Sequence, residues 1–523
     1  MRKTWAVGCL ILLLLVSMIV PQATSHGGSI FPIVIGIPGV PGTVYIGDAP
    51  SQPDPAKPVI VFVQGLFNAS SIWHTGNDMY QRAREADFET AFVELHDAGG
   101  DPRSNWNNGK MLAEQLQKIA DHFPGKKLVM VCYSKGGIDT QTALVHYGKH
   151  PLVSNVITIG SPHYGSPLAD LAYSDWVWWL SSLLGTRNEA VYSLQTGVME
   201  SFRTQTDSRP EINENAYLTV AGNSWGSFLS PTWFGGLYML EDSDGVVPLR
   251  STKLPYGNHI KTGNWDHLSI YQGKETFDVI RPYLTSTRQT ASANNTIESA
   301  SPLLAENNVY LTGGEQEGTL EESLVIEPGT ESVALNWMSN HPLSRIELIR
   351  PDGQVQPTLF NVTQDQQTLF KGAWQHIAQL NKPMAGTWKV RTSTDRKSAY
   401  ALIATFNSPL SAQLTLQQKS LHTPEYLVAA TNKGKNRNLI KEIKAEAQIQ
   451  YIPDPSTNPK QERIILRKRG PIDSRAIQIP VTSSGTYNLT INIRGTTTSG
   501  APFARTIVKS IAVDKQGRIY GRP

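Results

Sequence analysis

The apolar positions of this chain follow two different rhythms. Up to about residue 285 they gather into short unbroken runs, Pro58–Leu66 and Leu128–Cys132 being the clearest, with Tyr217–Ala221 further on. Such runs predict strands buried on both faces, as in a parallel sheet covered by helices. Between them the spacing turns helical, over Ile138–Tyr147 and again over Leu168–Gly185, a stretch unusually rich in Trp and Leu. Beyond Asn308 the pattern changes to short alternating stretches separated by Gly, Pro and Asp turns: Ser332–Trp337, Ser344–Ile349, Gly386–Thr392, Tyr400–Phe406, Ala445–Tyr451, Arg463–Leu466 and Tyr487–Ile493. Regular short strands with turn punctuation predict β-sandwiches, and a break near Asn407–Leu410 divides them into two.

These rhythms set an expected organisation. Residues 26–284 form an α/β unit, 285–308 a Ser/Thr/Ala/Asn-rich linker, and 309–408 and 409–523 one β-sandwich each. The phrases leading into Gly386-Thr387-Trp388 and Gly485-Thr486-Tyr487 look alike, which hints at related modules. Ahead of all this, Arg2 and Lys3 precede an apolar core from Trp5 to Val20 and then Pro21–Ser25. That is the layout of a signal peptide cleaved after Ser25, with an uncleaved anchor as the alternative. Cys9 lies too early in the apolar stretch for lipoprotein attachment.

The chemistry concentrates where the strand Leu128–Cys132 breaks. Tyr133-Ser134-Lys135-Gly136-Gly137 follows at once, and small-x-Ser-x-Gly after a buried strand is the pattern of a nucleophile elbow. The sharp turn needs small neighbours; Gly136 supplies one, and Cys132 holds the position where glycine is commoner. Upstream, Val63-Gln64-Gly65-Leu66 ends a strand in a glycine turn, so the main-chain N–H groups of Leu66 and Lys135 are the expected oxyanion donors. Downstream come Asp244-Gly245-Val246-Val247-Pro248 and Trp265-Asp266-His267, giving the order Ser, Asp, His. Asp242 competes with Asp244 and His259 with His267. Lys135 raises a Ser/Lys dyad, but its position at a helix start points elsewhere, and a surface side chain is expected.

With these pieces, and Thr158–Pro167, the chain resembles secreted bacterial lipases of the α/β-hydrolase family over roughly residues 30–285. The resemblance implies an α/β-hydrolase fold followed by accessory β-domains. It also favours Asp244 as the acid, because Gly-Val-Val-Pro follows it, and His267 as the base, from its Asp-His setting. Two departures are Gln64, where the family usually has His, and Cys132. The expected function is a carboxylic-ester hydrolase, most specifically a triacylglycerol lipase with Ser134 as nucleophile; alternatives are a polyester depolymerase, a short-chain esterase and, last, a non-catalytic adhesion protein. The stretch holding Trp176, Trp178, Trp179, Leu180 and Leu183 resembles a lid that lies at a lipid–water interface, and Trp225–Tyr238, with Phe228, Trp233 and Phe234, is a candidate lining for the acyl groove.

Composition narrows the partners. The net charge is +3, and the first 25 residues contain two basic and no acidic residues, so the remainder is nearly neutral. That gives no reason to expect nucleic acid. Of the 2 cysteines, Cys9 leaves with the signal, so Cys132 has no partner for a disulfide. Asp242 and Asp266 read as solvated loop carboxylates; calcium is not assigned, and no metal or other cofactor is expected. The C-terminal units are candidates for binding cell wall or polymer, or for serving as spacers. The expected location is extracellular.

Overall fold

The computed structural model describes residues 31–285, 305–418, 425–430, 439–453, 476–479, 481 and 483–521. The expected signal segment, most of the expected linker and the strand expected at Arg463–Leu466 lie outside them.

The first unit is built on strands β1 (Ile33–Ile35), β2 (Val44–Ile46), β3 (Val59–Val63), β4 (Thr90–Val93), β5 (Leu128–Tyr133), β6 (Val153–Ile159), β7 (Ala216–Gly222) and β8 (Asn258–Gly263). They form one sheet in the order β1-β2-β4-β3-β5-β6-β7-β8. From β4 to β8 every neighbouring pair is parallel, and β1 and β2 add an antiparallel edge. The helices are α1 (Met79–Glu85), α2 (Asn105–His122), α3 (Lys135–Val145), α4 (Pro167–Ala172), α5 (Trp178–Leu183), α6 (Glu189–Ser193), α7 (Thr196–Asp207), α8 (Pro231–Met239) and α9 (Gly273–Ile280).

The unbroken apolar runs are explained by burial on both faces. Val59, Val61 and Val63 of β3 pack with Leu112, Leu116 and Ile119 of α2 and Ala143 and Leu144 of α3. Ile60 and Phe62 point to the other side, where they meet Met79 of α1 and Phe277 and Ile280 of α9. Successive strand residues serve opposite cores, so neither face tolerates a polar position. This is the doubly covered sheet expected of an α/β-hydrolase.

The C-terminal part is antiparallel throughout. Strands β9 (Val309–Ile326), β10 (Ser332–Ser339), β11 (Arg345–Ile349), β12 (Val355–Gln356), β13 (Asn361–Gln364), β14 (Trp374–Asn381) and β15 (Gly386–Asn407) form a seven-stranded sheet. The stretches Gly386–Thr392 and Tyr400–Phe406 are one long strand, paired with β9 along its length apart from a register shift between Thr394 and Ser398. The last unit has β16 (Leu414–Gln418), β17 (Glu425–Ala430) and β19 (Ala476–Gln478) in one sheet, and β18 (Ile440–Pro453), β20 (Gly485–Thr497), β21 (Pro502–Val513) and β22 (Ile519–Tyr520) in another. Residues from both sheets, among them Leu414, Val428, Ile449 and Ile491, share one core.

The β-units do not hang free of the α/β unit. A single apolar cluster joins Leu168, Leu171, Val177, Leu180 and Phe234 of the helices to Leu311, Met338, Leu369, Phe370, Ile403 and Val508 of the β-units. Polar contacts rim it: Asp175 N donates to Thr490 Oγ1 at 2.9 Å, Trp176 Nε1 to Asn492 Oδ1 at 3.1 Å, and Gly197 N to Ser510 Oγ at 2.9 Å. The approach is close enough that a Cβ on Gly313 of β9 would lie 2.3 Å from the Trp176 carbonyl oxygen.

Candidate active site

Ser134 stands between β5 and α3 with φ 51° and ψ −127°. A left-handed φ on a residue with a side chain is strained by roughly 1–3 kcal/mol, and the surrounding structure must hold it there. It does so by close contact. A Cβ on Gly65 would lie 2.9 Å from the Ser134 Cβ, and one on Gly136 would lie 2.4 Å from the Gln64 carbonyl oxygen. Only glycine lets the turn after β3 press against the turn after β5. Leu66 follows in that turn and lines the same pocket as Ser134. Lys135 opens α3, where the first N–H groups have no acceptor within the helix.

The ends of β7 and β8 supply the rest. His267 Nε2 lies 3.1 Å from Ser134 Oγ, and His267 Nδ1 lies 2.7 Å from Asp244 Oδ2. The other carboxylate oxygen of Asp244 accepts N–H groups from Val246 at 3.0 Å and Val247 at 2.7 Å. Asp244 is therefore fixed by its own loop, with one oxygen left for the imidazole. The main chain adds a link, His267 N to Asp244 O at 2.8 Å. Tyr133 braces the histidine from behind: its hydroxyl donates to the His267 carbonyl oxygen at 2.8 Å and the two ring centroids are 5.1 Å apart. Burial holds the Tyr133 phenol well above its ordinary pKa, so it stays a donor.

The rival residues lie elsewhere. Asp242 is exposed. His259 sits on β8 between Thr219 Oγ1 at 3.0 Å and Thr262 Oγ1 at 2.8 Å, and burial, aided by Lys253, lowers its pKa to about 4. Asp266 accepts N–H groups from Leu268 and Ser269, shaping the turn that presents His267. Cys132 contacts Thr140 Oγ1 at 3.2 Å, and burial pushes its thiol up to about 12.

Lys135 is a correction to the sequence reading. Its side chain is fully buried, not at the surface. Nζ donates to both oxygens of Asp139 at 3.0 Å and to Asp97 at 3.4 Å. Asn108 donates to Asp97 at 2.5 Å and to Asp139 at 2.9 Å. Burial acts to lower the lysine's pKa, but Asp139 and Asp97 outweigh it and hold it above its usual value. Burial pushes Asp139 up to about 7 against the pull of Lys135. Asp139 is four residues on along α3, but the surface expectation had no access to Asp97, in the turn after β4, or to Asn108 of α2.

The space at Ser134 is almost filled. Leu66, Asn68, Pro162, Leu194, Val246 and Val247 line it from the first unit, and Gln367, Thr368 and Leu369 from the β13–β14 turn. What remains is about 20 Å³, room for one water. None of Trp176, Trp178, Trp179, Leu180 or Leu183 lines it. Trp176 is bonded to Asn492 and Leu180 is buried, while Trp179 and Leu183 of α5 are exposed at 43% and 61%. Of the second aromatic stretch, Phe234 lines a neighbouring space with Leu168, Leu171, Tyr238 and Phe370, whereas Phe228 is exposed and packs against Trp233.

The sequence matches no protein-family model and no curated relative. Among solved structures it is similar to the Bacillus licheniformis lipase BlEst2 in its propeptide form, at 37% identity over 92% of this chain and 100% of that one, with a TM-score of 0.78. The chain belongs to the lipase and esterase family of the α/β-hydrolases. The mature form of BlEst2 is 48% identical over 47% of this chain and 100% of that one, with a TM-score of 0.45. A metagenomic carboxyl esterase, MGS0156, is 20% identical over 45% of this chain and 77% of that one, with a TM-score of 0.35. As a member of this family the chain is a carboxylic-ester hydrolase, and the buried Ser134–His267–Asp244 arrangement lies at the strand ends where α/β folds place their sites.

Proposed function

We propose that this hydrolase is a secreted lipase acting on lipid esters through Ser134, and that the form described here is latent. The observation that carries the first part is the unbroken line of hydrogen-bonding distances from Ser134 Oγ through His267 to Asp244. A serine hydroxyl is a weak nucleophile until a base takes its proton. His267 Nε2 takes it as Oγ forms its bond to the ester carbonyl carbon. Asp244 keeps the Nδ1 proton in place and stabilises the imidazolium without taking the proton itself. The carbonyl oxygen becomes an oxyanion held by the N–H groups of Leu66 and Lys135. As the carbon–oxygen bond to the alcohol breaks, His267 returns the proton to the leaving oxygen. Water, deprotonated by the same histidine, then cleaves the acyl-enzyme and restores Ser134.

Latency rests on the cover over Ser134. Leu369 is part of that cover, and the roughly 20 Å³ left free beside Ser134 is room for about one water, not for an ester and its substituents. BlEst2, over nearly the whole of this chain's length, is described in a propeptide form; the C-terminal β-units are read in the same way here. The preference for lipid rests on the exposed Trp179 and Leu183 of α5, an apolar edge suited to a lipid–water interface.

The test compares the full chain with its Leu369→Ala and Ser134→Ala variants on p-nitrophenyl esters from acetate to palmitate and on emulsified triglyceride. Slow turnover by the full chain, faster turnover by Leu369→Ala and none by Ser134→Ala in either background support the reading. Preference for long, emulsified substrates supports the lipase assignment; activity confined to short soluble esters replaces it with an esterase.

A further inference from the structure

Two side chains that the acyl-transfer steps do not use, Gln64 and Lys135, reach from opposite halves of the site to one short segment. Gln64 precedes the Gly65-Leu66 turn and is buried. With its amide oriented to satisfy both ends, it donates to the Val93 carbonyl oxygen at 2.8 Å and accepts from Leu95 N at 2.8 Å. Lys135, the residue after the nucleophile, binds Asp97 and Asp139, and Asn108 clamps both carboxylates. Glu94, between these anchor points, accepts from Ser70 N at 3.1 Å and Ser70 Oγ at 2.5 Å, tying down the chain that follows the turn. Val93–Asp97, the exit of β4, is thus bonded to both walls of the site.

We infer that Gln64 and Lys135 are positioning residues that set the separation of the two oxyanion donors through this common anchor. The inference rests on the reading of Leu66 N–H and Lys135 N–H as those donors. The geometry makes the anchor matter. Because the Gly65 turn already touches Ser134 and Gly136 already touches Gln64, the two walls move toward each other only by clashing, and the anchor keeps them from moving apart. An oxyanion hole works only when its donors are fixed at the right distance before charge develops.

A purely structural role is the competing account, and energetics distinguish the two. Burying an ammonium with two carboxylates costs several kcal/mol per ion in desolvation, and an apolar side chain of similar volume often gives an equal or more stable fold. An ion cluster kept for packing alone is replaceable. One kept for geometry is replaceable only with loss of turnover. Its place, on the side chain of the donor residue itself, favours geometry.

The experiment uses the full chain with Leu369→Ala as reference, so that substrate reaches Ser134, and adds Gln64→Met, Lys135→Met, Asp97→Asn and the Gln64→Met/Lys135→Met pair. Because the single variants weaken placement without deleting a donor, kcat on p-nitrophenyl butyrate is expected to fall about tenfold to a hundredfold in each, less than or equal to the loss of a whole donor, with KM unchanged. Affinity for an alkyl boronic acid, which becomes tetrahedral on Ser134, falls in parallel with kcat. The paired variant loses less than the product of the single losses, since both act through one segment. Thermal midpoints are measured alongside, and Asp97→Asn, nearly isosteric, serves if Lys135→Met does not fold. Unchanged kcat and boronate affinity in folded variants, with only the midpoint altered, overturns the inference while leaving Ser134 intact. Turnover that survives Ser134→Ala overturns the reading of the site and the inference with it.

Discussion

Leu369 and Ser134 line one pocket although they belong to different folding units, and the leucine is 3% exposed there. The β13–β14 turn that carries it is itself held firmly. Asp365 accepts N–H groups from Gln367 at 3.1 Å and Thr368 at 2.8 Å, and its other oxygen accepts from Gln375 at 2.8 Å. The cover is therefore a built loop. Leu369→Ala in the full chain is expected to raise p-nitrophenyl acetate hydrolysis at least tenfold, and to cost about 2–5 kcal/mol of stability. Initial rates and chemical denaturation check the two parts.

A second way to uncover the site leaves the pocket untouched. Gly313→Val places a side chain against the Trp176 carbonyl oxygen, where even a Cβ would sit at 2.3 Å. The strand has to shift away from α5, and the seam between the units opens. Hydrolysis of small esters is expected to rise in this variant too, with increased protease sensitivity measured by time-resolved digestion.

Asp244→Asn is expected to lower kcat by about 10⁴ with little change in thermal midpoint, as loss of the orienting carboxylate does in such triads. The two N–H bonds from Val246 and Val247 fall on one oxygen, which an asparagine retains, while its amide faces His267 Nδ1. Measurement of kcat in the Leu369→Ala background, with circular dichroism melts, checks this.

Asp170 ties stability to pH. It is buried beside the last β-unit, accepts from Thr196 N at 3.0 Å and Thr196 Oγ1 at 2.6 Å, and burial raises its pKa to about 6 despite those bonds. The folded chain therefore holds a proton that the unfolded chain releases near pH 4. This group's contribution is fully present below that pH and is lost as pH rises through about 6. Asp170→Asn is expected to remove that loss, so the difference in urea midpoint between variant and parent grows in the variant's favour from pH 4 to pH 6.5.

What was legible in the sequence was whatever local pattern carries. The run ending in Ser134 needs a buried strand, a sharp turn and small neighbours, and each leaves a mark in consecutive residues. Asp244 and His267 were legible from their order and settings. The burial of Lys135 was not: Asp139 stands four residues on along the same helix, but Asp97, from the turn after β4, and Asn108 of α2, which holds both carboxylates, are brought there only by the fold. Gln64 stood out as a departure from the family's histidine, yet its two acceptor and donor groups are main-chain atoms of Val93 and Leu95, which no side-chain pattern records. The cover was the least legible: Gln367, Thr368 and Leu369 are ordinary turn and core residues, and their meaning comes from the unit they pack against. In the β-units, alternation located some of the strands, missed β9, β14 and β21, and split Gly386–Asn407 in two, since the polar stretch at Thr394–Lys397 interrupts the alternation and is in fact an irregularity within a continuous strand.

The central claim, that Ser134 is the nucleophile and that the β13–β14 turn withholds it, is tested most directly by phosphonate labelling. A small alkyl fluorophosphonate is added to the full chain, to Leu369→Ala and to the corresponding Ser134→Ala chains, and the modified residue and its rate are read by peptide mass spectrometry. The account predicts slow labelling of the full chain, fast labelling of Leu369→Ala, the adduct on Ser134 in both, and none when Ser134 is replaced. An adduct on another residue, or equal rates in the full chain and Leu369→Ala, would contradict it.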